Sequence, residues 1–504
     1  MSEHLLIWGG AAGYMLAMLG VGLWSHRRIH GSADFIVAGR RLPLWLATAT
    51  LSATWFGGAT ILGAGGTAYS EGFYGVIPDP FGAGVCLLLA GLLVVRTVRR
   101  MRLMTVSDFF RVRYGRHADL VASSSMILTY AGWTAAQIVA IGVVLDSLAN
   151  VPRGVGIVIG AVVVVTYTYF GGMWAVSITD FLQIAILVAG LTVIFPMMIA
   201  ACGGPAAFLD GVPEGSFGLL PPAGTDAAGW VHWIRAWIVL GLGNLAGQDL
   251  LQRSLSSRDE TVAQNSAYLS GLFYLSFGLI PVLIGLAGTI LMPGMASTEA
   301  ELIIPEMARR FLPAPVMALF VGALLAAIMS SADSALLAPA SIVGENLLRY
   351  FRPGVSEGRV LRWTRNAVPV IGLMALLLGL YSGRVYELLV ESFALLLVVL
   401  FPSFLAGIWW RRANTPGALG AMTVGLVTFV ALRTAAAMEW MGLAYPADVI
   451  AVVLAGATLV VVSLATGRSH PPRRLTDLDG RPIPMAGRLG LPGPGRPRPA
   501  PGAA

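Results

Sequence analysis

The sequence predicts an all-α membrane protein of about 13 transmembrane helices, with a five-plus-five inverted repeat at its centre. Three observations carry this. Of its 504 residues, 56% are hydrophobic and only 12% charged, against roughly 25% charged in an ordinary soluble domain, and the mean hydropathy is +0.76. The arginines alternate between the two sides of the expected spans. Two glycine-interrupted apolar segments lie five spans apart, the pattern of discontinuous helices in inverted repeats.

Taken in order, the spans read as 5–24, 43–69, 75–98, 120–147, 154–172, 177–202, 232–252, 262–292, 313–347, 366–382, 386–410, 416–438 and 447–466. The first is preceded by Glu3 and followed by Ser25, His26, Arg27 and Arg28. A signal peptide carries its positive charge before the apolar run and a small-residue cleavage site after it, so this stretch reads as a spanning helix with the N-terminus outside. Segments 203–231 and 293–312, rich in Pro, Gly and acidic residues, then fall on the outer side.

With this alternation, 27 of the 33 arginines lie in segments expected on the cytoplasmic side, Arg253 and Arg258 among them. The six others are Arg153, Arg235, Arg309, Arg310, Arg384 and Arg433. A bias of this size orients a membrane protein. It also accounts for the formal charge of +7 without nucleic acid, since the basic residues sit in short loops between apolar segments.

Other classes are disfavoured by what the chain carries. Cys86 and Cys202 stand alone in apolar runs, without disulfide or metal spacing. The six histidines (His4, His26, His30, His117, His232, His470) lie at ends, loops or the tail, so no nucleophile and base pair marks an enzyme. A channel would show a continuous polar pore stripe or a filter repeated across subunits, whereas the polar residues here gather at mid-span breaks. From Gly467 onward the Pro-rich sequence lacks apolar area to bury and is expected to be disordered.

The breaks carry the chemistry. In the second span Gly57, Gly58, Gly63, Gly65 and Gly66 interrupt S-A-T-W-F-G-G-A-T and the residues after it; in the seventh, Gly241, Gly243 and Gly247 accompany Asn244, Gln248 and Asp249. A single such glycine usually marks close helix packing; the pair points to a mid-membrane site built from freed backbone groups. Hard cations take oxygen ligands. The carbonyls of Ala53 and Phe56 at the break, with the Ala327 carbonyl and the hydroxyls of Ser330 and Ser331 in A-A-I-M-S-S-A-D-S, form a candidate sodium site. Adjacent serines in a spanning helix can instead back-bond to the preceding turn; the company of Asp333 and Ser334 favours the site, because intramembrane ionisable residues persist mainly where they serve a pathway. Asp180 has two readings, a carboxylate favoured by a helix N-terminus or a member, with Asp333 and Ser334, of a second cation or proton site.

At these residues the chain resembles the sodium/solute symporter family, and within it the branch of choline transporters. The resemblance runs from about Leu5 to Thr466 and rests on L-S-A-T-W-F-G-G, Y-T-Y-F-G-G-M-W-A-V-S-I-T-D-F-L-Q, Q-D-L-L-Q-R and A-A-I-M-S-S-A-D-S. It implies a LeuT-type fold and places the family's sodium site on Ala53, Phe56, Ala327, Ser330 and Ser331. In two-ion members the inner site maps to Asp180, Ser330, Asp333 and Ser334, with Asp333 standing where some of them have Ser. Trp55 and Trp133 match the positions of a cation-π cage, while Gly247 and Ala83 stand where further aromatics are expected. Asp79 in P-D-P adds a carboxylate for a substrate ammonium.

The reading that follows is a sodium-coupled symporter importing a small organic solute by alternating access, not an enzyme, with Na+ as coupling ion. The alternatives are a proton-coupled transporter of the same fold and a solute sensor that does not transport. Candidate solute contacts are Trp55, Gly57, Thr60, Trp133, Gln137, Asn244, Gly247 and Gln248. The expected divisions are 1–42 for the first helix and its loop, 43–202 and 203–410 for the two repeats, 411–466 for two further helices and 467–504 for a cytoplasmic tail. The expected setting is the cell membrane, with no obligatory protein partner and no nucleic acid.

Overall fold

A bilayer core offers no water to backbone N–H and C=O groups, so a spanning chain must satisfy them internally. The computed structural model describes residues 9, 13–18, 20–21, 31–382, 384–440, 442–484 and 486–489. Among them are helices and no β-strand, only isolated bridges between Leu42 and Ser257 and between Thr476 and Pro482. The expected first span lies largely outside the described residues.

Among the described residues, seven helices are long and apolar enough to cross a membrane, or up to nine if each bent pair is one span. The difference from the expected number arises where spans are broken, where the fifth and sixth run on as one helix (Arg153–Ala201), and at the first span, which lies largely outside the described residues. Helix α1 (Leu44–Trp55) has 12 residues, about 18 Å at 1.5 Å per residue against a hydrocarbon core of about 30 Å. It continues past a break into α2 (Ala64–Gly75), and the chain then bends by 78° into Ile77–Leu93. Helix α3 is Arg116–Ala149 and α4 is Arg153–Ala201.

The 49 residues of α4 would measure about 73 Å if straight, too long for one crossing. At Gly172 the backbone turns to φ 55°, ψ −167°, a conformation open to glycine and strained for other residues. A Cβ there would also lie 2.6 Å from the Phe35 ring. The expected division between 154–172 and 177–202 falls at this residue.

The seventh span is divided in the same manner as the second: α5 (Ala227–Gly241) and α6 (Gln248–Ser256) flank a short turn at Gly243–Ala246. Helix α7 is Glu260–Phe277 and α8 is Ala314–Ile342. Every residue of α8 from Ala323 to Ile342 is buried, as expected for a helix apolar on all sides. It packs on α1, α3, α4 and α6, so the Ser330–Ser334 cluster sits at the centre of the bundle, beside both broken spans.

The tail departs from the expected disorder over its described part. Arg113 is 3% exposed and its guanidinium donates to the carbonyls of Gly407 at 3.1 Å and Arg473 at 2.6 Å; burial pushes its pKa down. Arg488 donates to Ile408 O at 2.6 Å and lies over the Trp409 ring. Leu475 and Ile483 are buried against the same face. The apolar side chains are few, and carbonyl-arginine hydrogen bonds hold the segment where hydrophobic area alone would not.

Helices approach closely where glycines meet. A Cβ on Gly285, in the Leu279–Leu291 helix, would lie 2.9 Å from the Gly65 carbonyl carbon, and a backbone atom cannot give way. Gly285→Val is therefore expected to cost more than about 2 kcal/mol and to lower the melting temperature of the detergent-purified protein. Gly322→Ala, where nothing lies within 4 Å of the new Cβ, should leave melting unchanged.

Candidate functional site

Helix α1 ends because Phe56 leaves helical geometry at φ −85°, ψ 79°. Phe56 N–H still reaches Ser52 O at 3.1 Å, but Gly57 N–H, which would close the next turn on Ala53 O, donates to Trp55 O at 3.1 Å. Ala53 O is thereby released. The freed Gly58 N–H is taken by Gln137 Oε1 at 3.0 Å. Glycine is required at the break: a Cβ on Gly57 would lie 2.8 Å from both Ser331 Cβ and Gln137 Oε1.

Facing the break, the two adjacent serines of α8 give their protons away. Ser331 Oγ donates to Thr54 O at 2.7 Å, and Ser330 Oγ donates to Asp180. A hydroxyl whose proton is committed elsewhere offers only lone pairs, which is what a hard cation requires. Together with the released Ala53 carbonyl, these neutral oxygens fit sodium. The back-bond considered for this serine pair is not the bond it makes; Ser334 makes it instead, donating to Ser330 O at 2.8 Å.

Asp180 ties this site to a second polar layer. Thr50 of α1 and Ser330 of α8 each donate to one of its carboxylate oxygens. Next to it, Ser334 Oγ lies 3.1 Å from Thr54 Oγ1 and 3.1 Å from Asp333 Oδ1, and Arg253 donates to Ser334. Asp333 Oδ2 is buried with no hydrogen-bond partner among the described residues. Arg253, counted from sequence among loop arginines, is 1% exposed and projects from α6 into this layer. The signal available in the sequence was its position in Q-D-L-L-Q-R, one helical turn after Asp249.

On the other side of the break lies a narrow cavity of ≈ 20 Å³, room for little more than a water molecule. Its lining brings together six of the eight expected solute contacts: Trp55, Gly57, Thr60, Trp133, Gln137 and Asn244. It adds Asp79, Asp249, Tyr274 and Phe393. Of these, Tyr274 and Phe393 carried no sequence signal, because each is a single aromatic in an aromatic-rich apolar span. Gln248 is turned away, its Oε1 accepting Val106 N–H at 2.7 Å. Gly247 lies behind Asn244 and is not in the lining.

The cavity walls are fixed by buried polar bonds. Thr60 donates to Asp79 Oδ2 at 2.8 Å and Tyr274 OH donates to Asp79 Oδ1 at 2.7 Å. Tyr274 OH also lies 2.9 Å from Trp55 O at the break. Trp55 meets the Tyr274 ring edge-on at 6.2 Å, and Trp133 meets Phe393 at 5.6 Å. Asp249, at the N-terminus of α6, accepts from Tyr130 and from Asn244 Nδ2, the latter at 3.2 Å.

A wide vestibule of ≈ 790 Å³ opens near this cavity on the arginine-poor face. Five glutamates (Glu71, Glu299, Glu301, Glu387, Glu391) and three arginines (Arg153, Arg235, Arg384) line it.

The family model described as sodium:solute symporter family matches residues 35–425. The chain is 30% identical over 434 residues to the high affinity choline transporter 1 of Homo sapiens, an alignment covering 82% of this chain and 74% of that one. It is 25% identical over 435 residues to the sodium/pantothenate symporter of Escherichia coli (strain K12), covering 84% and 89%. A solved structure of a Na+-coupled sialic acid symporter is similar in fold, with a TM-score of 0.79 at 21% identity, covering 94% of this chain and 100% of that one.

Removing one donor from a buried carboxylate leaves it under-satisfied, at a cost of about 1–3 kcal/mol. Tyr274→Phe and Thr60→Val should each lower thermal stability by that order. The double variant should lose less than the sum, because both act on Asp79; thermal denaturation of the four proteins in detergent reads the coupling.

Proposed function

The chain belongs to the sodium:solute symporter family and is a sodium-coupled symporter, and from that premise we propose how its residues do the work. Sodium is held by the carbonyls of Ala53, Phe56 and Ala327 and by the hydroxyls of Ser330 and Ser331. The observation that carries this is the serine pair, whose protons are committed to Thr54 O and to Asp180. The solute sits between Trp55 and Trp133, beside both broken spans, once the ≈ 20 Å³ cavity widens, and enters from the vestibule on the arginine-poor face, taken as the outside of the cell membrane by the positive-inside rule. By the same rule the C-terminal tail is cytoplasmic.

Coupling follows from which elements are joined. The proposed sodium ligands come from α1 and α8, so the ion favours the arrangement in which these helices stay together. Trp55 belongs to the same break, and its carbonyl is bonded to Tyr274 of the cavity wall. Separation of α1 from α8 thus disturbs both sites, and loss of either cargo loosens the hold on the other. One charge moving down about 100 mV supplies about 2.3 kcal/mol. A tenfold sodium ratio adds about 1.4 kcal/mol, so one ion sustains a solute gradient on the order of several hundredfold.

In the inner layer we propose that Arg253 acts as a built-in cation. It donates to Ser334, which the resemblance assigned to a second ion, and it offsets one of the two carboxylates Asp180 and Asp333. Arg253 thus does the work of a second sodium, and transport proceeds with one. Neutral carbonyl and hydroxyl ligands at the outer site favour sodium over a proton as coupling ion.

Proteoliposomes holding the purified protein should accumulate solute under an inward sodium gradient and not under a potassium gradient of the same size. Ser331→Ala should weaken the apparent sodium affinity at least tenfold with little change in folding yield. Accumulation that is indifferent to sodium would overturn the proposal.

A further inference from the structure

Two polar atoms lining the solute cavity are left without partners, and they are of opposite kind. Trp55 is 8% exposed and its Nε1–H donates to nothing among the described residues; Asn244 is 3% exposed and its Oδ1 accepts from nothing. The Asn244 amide is oriented by its neighbour. Its Nδ2 faces Asp249 Oδ2 at 3.2 Å, and a carboxylate only accepts, so the carbonyl oxygen must turn the other way. Leaving either atom dry and unpaired costs on the order of 1–3 kcal/mol, and a bound molecule that pairs both removes that cost.

Gly247 leaves the space that the Asn244 amide occupies. A side chain there would collide with Asn244 Oδ1, and its Cβ would lie 2.7 Å from Asp249 Oδ1. Where a third aromatic was expected, the Asn244 amide packs over the glycine, and Asn244 and Asp249 rather than Gly247 face the cavity. On the opposite wall Asp79 is a further carboxylate, and the lining contains no Arg, Lys or His among the described residues. The vestibule has more carboxylates than arginines as well, which favours entry of cations.

Resting on the symporter reading above, we propose that the solute is a small protonated amine bearing N–H groups and an oxygen acceptor, an amino-alcohol type of cation, and not a quaternary ammonium. Its N–H groups donate to Asn244 Oδ1 and toward Asp249. Its oxygen accepts from Trp55 Nε1–H, and its carbon chain lies between the Trp55 and Trp133 rings. A trimethylated nitrogen has no N–H to give, so it leaves Asn244 Oδ1 dry. An anionic solute would meet two carboxylates with no lining cation.

The test is a methylation series. Sodium-dependent binding of 2-aminoethanol and of its mono-, di- and trimethylated derivatives is measured by thermal shift and by competition for uptake into proteoliposomes. The three N–H-bearing members should bind at least tenfold more tightly than the trimethylated one. Trp55→Phe, which keeps a ring but removes the donor, should weaken 2-aminoethanol about tenfold and leave ethylamine, which has no hydroxyl, unchanged. Asn244→Ala should reduce the discrimination between the N–H-bearing and trimethylated members. Equal or tighter binding of the trimethylated compound, or no binding by any member, overturns the inference. Proline and pantothenate are run in parallel: sodium-driven accumulation of either would sink the amine assignment while leaving sodium symport intact.

Discussion

A carbonyl set free inside a bilayer must find a partner, and this constraint organises the molecule around Phe56. The turn there diverts Gly57 N–H onto Trp55 O and leaves Ala53 O without its helical bond. The neighbours respond with what they carry: Gln137 caps the Gly58 amide, Ser331 donates to Thr54 O, and Tyr274 reaches Trp55 O. Three helices distant in sequence are thereby fastened to one break. The oxygens that remain are those from which the proposed cation site is built.

The same break separates two chemistries. Toward α8 the groups are neutral oxygens and a carboxylate held by two hydroxyls, suited to a small hard cation. Toward α5 and α6 they are aromatic rings, two buried carboxylates and an amide carbonyl, suited to an organic molecule. Trp55 and Thr54 are adjacent residues that face the two compartments. A shift of α1 is therefore felt in both, which gives coupling a structural basis without any long relay of side chains.

Much of the fold was legible because it follows from periodic properties of the chain. Apolar runs of spanning length, arginines on alternate sides and glycine clusters five spans apart are all local or statistical signals. The cluster Ser330 to Ser334 could be read because polar residues stand out in an apolar helix. What escaped was set by contacts between distant residues. Nothing near Tyr274 announces Asp79, and nothing near Gln248 announces Val106 N–H, so Tyr274 and Phe393 were missed and Gln248, expected at the solute, is found accepting Val106 N–H. Arg253 was counted with the loops because the apolar run ends at residue 252, whereas α6 continues to Ser256. The tail was expected to be disordered from its composition, yet carbonyl hydrogen bonds with Arg100, Arg113 and Arg488 need no apolar sequence.

In the proposed mechanism sodium joins the α1 break to α8. Hydrogen exchange of the amides around Phe56 to Ala64, compared in sodium and in potassium at equal ionic strength and without solute, tests it most directly. Sodium should slow exchange in this segment and around Ser330 and Ser331, and leave the peripheral helices Thr415–Ala437 and Ala447–Thr466 unaffected. Equal exchange in the two salts at the break, or a uniform change across the whole chain, would contradict the account.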